Sequence, residues 1–138
     1  MPNFAELTVG DVVAEQQYKV TRDSLVRYAG ASGDFNTIHY RDDIAQAVGL
    51  PGVLAHGMLT MGISIQPVVS WIGDAGSIVD YGVRFTKPVV VPAQGHALLT
   101  VKATVGALDA ESQRARIDLT TSFEENTVLG KAQAWVQF

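Results

Sequence analysis

From Val79 to the C-terminus, apolar residues return at every second position. Val79, Tyr81, Val83 and Phe85 share one parity, and Val101, Ala103 and Val105 form a second set. Ile117, Leu119, Thr121 and Phe123 form a third, and Ala132, Ala134, Val136 and Phe138 a fourth. A period of two is that of strands with one face buried and one face wet. The polar connections at residues 108–113 and 124–127 are too short to carry a crossover, so the strands they join must run antiparallel. A further strand is expected around residues 16–20, just before the helical half begins.

That first half has a different period. Thr21 can cap a helix through Leu25, Val26 and Ala29, with Asp23 in its first turn and Gly30 and Gly33 to stop it. A polar, irregular run follows at residues 32–40, then a short helical segment at 42–48 broken by Gly49, Pro51 and Gly52. Residues 55–72 read as a long helix, apolar on nearly every side and therefore buried. Pro67 lacks a backbone N–H, so a kink or an early end is expected there. The sketch is α+β: an antiparallel sheet of five to six strands around a long central helix, in one domain spanning residues 1–138. Such a sheet has exposed edges, and pairing two of them would close the liability, so a dimer is expected.

Charge and composition remove whole classes of function. The net charge is −4 over 138 residues, and the pI is about 5.2, which argues against the clustered basic surface that nucleic acid requires. There are no cysteines, so disulfide and thiolate chemistry are out. Residues 1–13 show no basic region followed by an apolar one, and the apolar-leaning run at 58–72 is interrupted by Ser64, Gln66, Pro67 and Ser70. No signal peptide and no membrane span are expected, and a cytoplasmic location follows.

The densest polar cluster is Ser32-Gly33-Asp34-Phe35-Asn36-Thr37-Ile38-His39. In a loop, Asp34 and His39 can converge on one small volume, and a carboxylate with an imidazole suits general acid–base work near neutral pH. Gly33 frees the backbone, and Asn36 can hydrogen-bond the loop to itself. The same residues also suit a capped surface loop, and spacing alone leaves both readings open. Ala55-His56-Gly57-Met58 precedes the apolar helix, so the Gly57 and Met58 amides fall among its unpaired N–H groups and could face an oxyanion. Equally, Gly57 could merely relieve crowding and His56 sit as a polar residue near the cap. His39, His56 and His96 lack metal-ligand spacing, so no metal is expected. There is neither a phosphate-binding glycine loop nor a Gly-x-Ser-x-Gly elbow.

The run Tyr28-Ala29-Gly30-Ala31-Ser32-Gly33-Asp34-Phe35-Asn36-Thr37-Ile38-His39, followed by Ala45, resembles the signature of the MaoC-type hydratases and dehydratases. Ala55-His56-Gly57-Met58-Leu59 is similar to the family's second segment. Arg84-Phe85 with Pro88-Val89 and Pro92 resembles its strand after the helix. Within the family, His56-Gly57-Met58-Leu59-Thr60-Met61-Gly62 and Ser70-Trp71-Ile72-Gly73-Asp74 look closest to the catalytic subunit of actinobacterial (3R)-hydroxyacyl-ACP dehydratases of fatty acid elongation. The resemblance implies a hot-dog fold and interconversion of (3R)-hydroxyacyl and trans-2-enoyl thioesters. It further implies Asp34 and His39 as catalytic residues, Gly57 as oxyanion donor and Asn36 as orienting group. Ser32, His56, Met58 and Phe85 become candidate substrate contacts. No cofactor is implied, since the substrate carries the phosphopantetheine of CoA or acyl carrier protein. Expected partners are a second copy or a second hot-dog subunit, with acyl carrier protein a candidate docking on Arg84, Lys87 and Lys102. Two departures stand out: Thr37 where the family usually has Pro, and Gly62 where some hydratases carry Ser. Non-catalytic acyl-binding subunits and thioesterases share the fold, but the former would lack the Asp–His pair. The latter place a carboxylate on the central helix, and residues 58–72 hold none.

Overall fold

A computed structural model describes residues 1–138. In chain order it contains β1 (Val12–Val20), α1 (Arg22–Ser32), α2 (Asp42–Ala47), α3 (Gly57–Ser64), α4 (Gln66–Ile72), β2 (Ile78–Phe85), β3 (Ala97–Asp109), β4 (Arg114–Phe123), β5 (Asn126–Thr127) and β6 (Leu129–Gln137). Short 3₁₀ turns lie at Phe4–Glu6, Thr37–His39 and Ala75–Ser77. The strands form one antiparallel sheet in the order β1-β3-β4-β6-β2, with β5 folded back on β4. This is the α+β arrangement that the alternating pattern requires.

On β3, β4 and β6 the parity seen in the sequence becomes the inner face of the sheet, whereas on β2 Tyr81 and Val83 are half-buried and Val79 and Phe85 are exposed. On β3, Ala97, Leu99, Val101, Ala103 and Val105 are buried, and on β4 Ala115, Ile117, Leu119 and Thr121. On β6 the inner set is Leu129, Ala132, Ala134 and Val136. The three-residue step from Leu129 to Ala132 passes Lys131, whose φ of 44° marks a local irregularity. The pairing of β2 with β6 also shifts register between Gly82 and Arg84. An extra residue in one strand reverses the alternation beyond it, so Leu129 and Ala132 can both face inward. Val68 and Ile72 of α4 and Leu25 of α1 complete the core against this face.

Four expectations change. The helix expected at residues 55–72 begins only at Gly57, because Leu54 pairs with Val90 and the Ala55 amide donates to the Val89 carbonyl at 2.9 Å. It is also two helices, joined at Ile65, and Pro67 lies in the first turn of α4, where a missing N–H costs no helical bond. Nor is it buried all round: Met58 and Gly62 lie on an exposed face. Gly30 does not stop α1, which runs on to Ser32 and ends at Gly33 in the left-handed region (φ 75°). Thr21 and Ser24 close the other end with a reciprocal capping box. No helix is long and apolar enough to cross a membrane.

Candidate active site

The segment between α1 and α2 is a chain of local hydrogen bonds. Ser32 Oγ donates to the Tyr28 carbonyl at 2.7 Å and accepts the Asp34 amide at 3.1 Å. Asp34 Oδ1 accepts the Asn36 amide at 3.1 Å, and Asn36 Oδ1 accepts the Ile38 amide at 3.3 Å. Successive Asx turns of this kind fold a loop back on itself without help from a sheet. The far end is tied by Arg22, which donates to both carboxylate oxygens of Asp42 (2.8 and 3.1 Å) and to the Val91 carbonyl (2.7 Å). The Arg22 guanidinium holds the Asp42 carboxyl below its ordinary value.

Within this loop Asp34 and His39 converge. His39 Nε2 and Asp34 Oδ2 are 3.9 Å apart, with the His39 side chain 10% exposed and that of Asp34 49%. His39 Nδ1 lies 2.8 Å from the Leu54 carbonyl. Because a carbonyl only accepts, Nδ1 carries hydrogen and the Nε2 edge is the one turned toward Asp34. At 3.9 Å the pair does not hydrogen-bond directly. One oxygen placed about 2.8 Å from each atom fits between them. The two directions then meet at roughly a right angle, close to the spread of a water's hydrogens.

His39 also lines a cavity of about 300 Å³, whose other walls include Gly57, Thr60, Phe85, Lys87 and Leu129. Gly57 is the first residue of α3, and neither its amide nor that of Met58 finds an acceptor in the chain. A Cβ on Gly57 would stand 3.0 Å from the Phe85 ring. Glycine is therefore what lets the backbone come this close to the ring and the cavity.

The MaoC like domain family model matches residues 4–123. The chain belongs to the MaoC-like domain family. Among curated relatives it is 40% identical over 75 residues to 3-hydroxyacyl-thioester dehydratase X of Mycobacterium tuberculosis, a match covering 54% of this chain and 26% of that protein. Among solved structures it superposes on a MaoC-like dehydratase with a TM-score of 0.95 and 35% identity, over 99% of this chain and 42% of that one. It also superposes on the unliganded R-hydratase PhaJ1 of Pseudomonas aeruginosa with a TM-score of 0.80 and 26% identity, over 97% and 83% of the two chains. The chain thus spans about a quarter of the curated relative and under half of the first structure. The hot-dog architecture expected from the motifs is the one these MaoC-like neighbours share.

The other candidate residues of this MaoC-like chain fall in different places. Phe85 is on the cavity wall over Gly57. Ser32 is not: its hydroxyl is consumed within its own turn. Met58 is exposed, outside the cavity lining. Asn36 spends its side-chain oxygen on Ile38, and it is the Asn36 amide that holds Asp34. His56 corrects the expectation most. It is 1% exposed and lies behind His39, their rings stacked at 3.9 Å and 23°, so it has no surface to offer a substrate. Of the three cations considered for carrier-protein docking, Lys87 lines the cavity and Lys102 lies in the middle of β3.

Asp34, His39 and His56 could each offer one atom within 4.8 Å of the others as metal ligands. The fit is poor, because His56 Nε2 lies 3.2 Å from the Asp34 carbonyl and must donate to it. Two contributors were invisible in the sequence: the Leu54 carbonyl that fixes His39, and the Arg22–Asp42 pair that anchors the loop. A main-chain carbonyl leaves no residue-type signal, and an ion pair spanning 20 positions leaves no local one.

Proposed function

We propose that the protein is a hydro-lyase interconverting (3R)-hydroxyacyl and trans-2-enoyl thioesters. The observation that carries this reading is the gap between Asp34 Oδ2 and His39 Nε2, sized for one oxygen, beside a cavity bearing the unpaired Gly57 amide. The names of the similar dehydratases and of the R-hydratase support the reaction class.

In dehydration the pair begins with one proton between its two sites. His39 Nε2 takes the proton from C2, which the thioester carbonyl acidifies, while Asp34 in its acid form protonates the departing 3-hydroxyl. Water leaves, the C2–C3 double bond forms, and the proton on His39 returns to Asp34 to reset the site. Hydration is the reverse. The two groups stand 3.9 Å apart and act from one place, so elimination is syn. As negative charge moves onto the thioester oxygen, the Gly57 N–H at the positive end of α3 meets it.

The protein needs no cofactor in this scheme, because the reacting thioester is presented on the phosphopantetheine of CoA or a carrier protein. The pantetheine arm approaches along the wall formed by Phe85, Lys87 and Leu129. Assembly is a dimer through β2, whose outer edge is unpaired within the chain, either with a second copy or with a second hot-dog subunit. A place in fatty acid elongation is consistent with a carrier-bound acyl chain.

Mixing the protein with crotonyl-CoA and following the loss of enoyl absorbance tests the reading. Hydration without thiol release is expected. Release of free CoA would make the protein a thioesterase, and binding without turnover would make it an acyl-binding subunit.

A further inference from the structure

The buried His56 has no role in the chemistry above, yet it touches every part of it. It immediately precedes Gly57 in the chain. Its ring stacks on His39 at 3.9 Å, and its Nε2–H points at the Asp34 main-chain carbonyl at 3.2 Å. The edge of Tyr28, from α1, closes the remaining side at 4.7 Å. Its Nδ1 is buried with no partner at all. An orphaned buried nitrogen is a standing cost that a phenylalanine or leucine would not carry. A group retained at a cost in the middle of a site is a candidate for a task no cheaper residue performs.

We infer that His56 is the positioning residue that sets the spacing of Asp34 and His39, its ring fixing the plane of His39 and its Nε2–H fixing the main chain of Asp34. The two catalytic residues are five apart on a loop whose other contacts are local turns. Those turns shape the loop but do not tie Asp34 to anything in the core. The His56 bond is the contact that reaches from Asp34 to the start of α3, and through it the proton-moving pair is referenced to the Gly57 amide. Only a flat ring with a donor on its edge can serve both neighbours. The titratable groups that face it are Asp34, His39 and Tyr28. The neutral form is the one that fits, since a second cation stacked on a protonated His39 would repel it. Burial indeed holds His56 below the ordinary imidazole value, with the nearby His39 acting in the same direction.

This inference rests on the hydratase reading, and its test separates the two. His56→Phe keeps a ring for the stack and removes the donor, while His56→Gln keeps a donor and removes the ring. With crotonyl-CoA, His56→Phe should lose about ten- to a hundredfold in kcat, the scale of a small misplacement of reacting groups, with KM within about twofold. His56→Gln should recover part of that loss. Independently of turnover, hydrogen exchange of the amides at residues 34–39 should quicken in His56→Phe while those of β3 and β4 stay as slow as in the parent. Unchanged kcat and unchanged exchange in both variants would overturn the inference and leave the hydratase reading intact. A raised KM at constant kcat would also overturn it, by making His56 a binding residue. A parent protein inactive on enoyl thioesters would sink the functional reading, and the exchange data alone would then decide the role of His56. If His56→Phe does not fold, His56→Gln carries the same two measurements.

Discussion

The two halves of the site are held in place by different forces. The carbonyl side, Gly57 with Phe85 above it, belongs to α3 and to β2, a strand of the sheet itself. The proton side, Asp34 to His39, is a loop whose geometry comes from hydrogen bonds: Asx turns within it, the Leu54 carbonyl on His39, the His56 ring behind, and Arg22–Asp42 at its end. One side is positioned by shape and the other by polar pairing. They should therefore fail in different ways and be rescued by different means.

The largest expected effect lies on the proton side and is chemical. Asp34→Asn and His39→Ala should each lower kcat for crotonyl-CoA hydration by about 10²–10⁴-fold, the range of general acid–base catalysis. The double variant should lose little more than the worse single one, because a pair sharing one proton works as a unit. Multiplicative losses would mean two independent roles. On the carbonyl side the expected failure is steric. Gly57→Ala places a Cβ 3.0 Å from the Phe85 ring, displacing either the ring or the amide, and a loss of about tenfold to a hundredfold follows from such misplacement. Because Phe85 is 56% exposed, Phe85→Ala in the Gly57→Ala background should restore much of the activity. No change of volume should restore Asp34→Asn. Rescue of the proton side by space, or no rescue of the carbonyl side, would collapse the distinction.

Acid should act on the polar half through His56. Its ordinary value is 6.5 and burial lowers it in the folded protein. Below about pH 6.5 the unfolded chain therefore binds a proton that the native state refuses, and stability falls with pH. Asp42 does not share this window. Its folded value lies below the ordinary 3.8, so its contribution stays intact until the pH nears that value. Thermal unfolding between pH 7.5 and 5 should show Tm falling in the parent and a shallower fall in His56→Gln. Equal slopes would remove His56 from the account.

What could be read from the sequence follows the same division. The sheet was legible because strand alternation is a local pattern that burial preserves, and Lys131 interrupts it only once on β6. The convergence of Asp34 with His39 was legible as an expectation, since a short loop cannot carry its ends far apart. What was hidden depends on chain segments distant in sequence. Ala55 looked helical but pairs with Val89, because an apolar residue beside a helix start carries no mark of the strand it will meet. The resemblance made His56 a candidate substrate contact, beside Gly57 in the second motif. In fact the turn into α3 sends its ring the other way, into the stack behind His39.

The smallest expected effect tests whether backbone stiffness matters on the polar side. Thr37 stands where relatives of this kind usually have proline. Asn36 already has φ −58° and ψ 127°, the extended conformation that a following proline demands. The Thr37 amide donates to nothing in the chain, while its carbonyl, which proline would keep, accepts from Tyr40 and Arg41. Thr37→Pro therefore removes freedom from the unfolded chain without removing a native bond, and should stabilise the protein by about 0.4–1 kcal/mol. The measurement is the urea midpoint at unchanged m-value, with kcat for crotonyl-CoA alongside. A gain in stability with kcat unchanged means the hydrogen bonds already set the loop as firmly as catalysis requires. A gain in both would show that the polar half is limited by backbone motion after all. A loss of stability would mean that the Thr37 side chain or amide contributes to the loop.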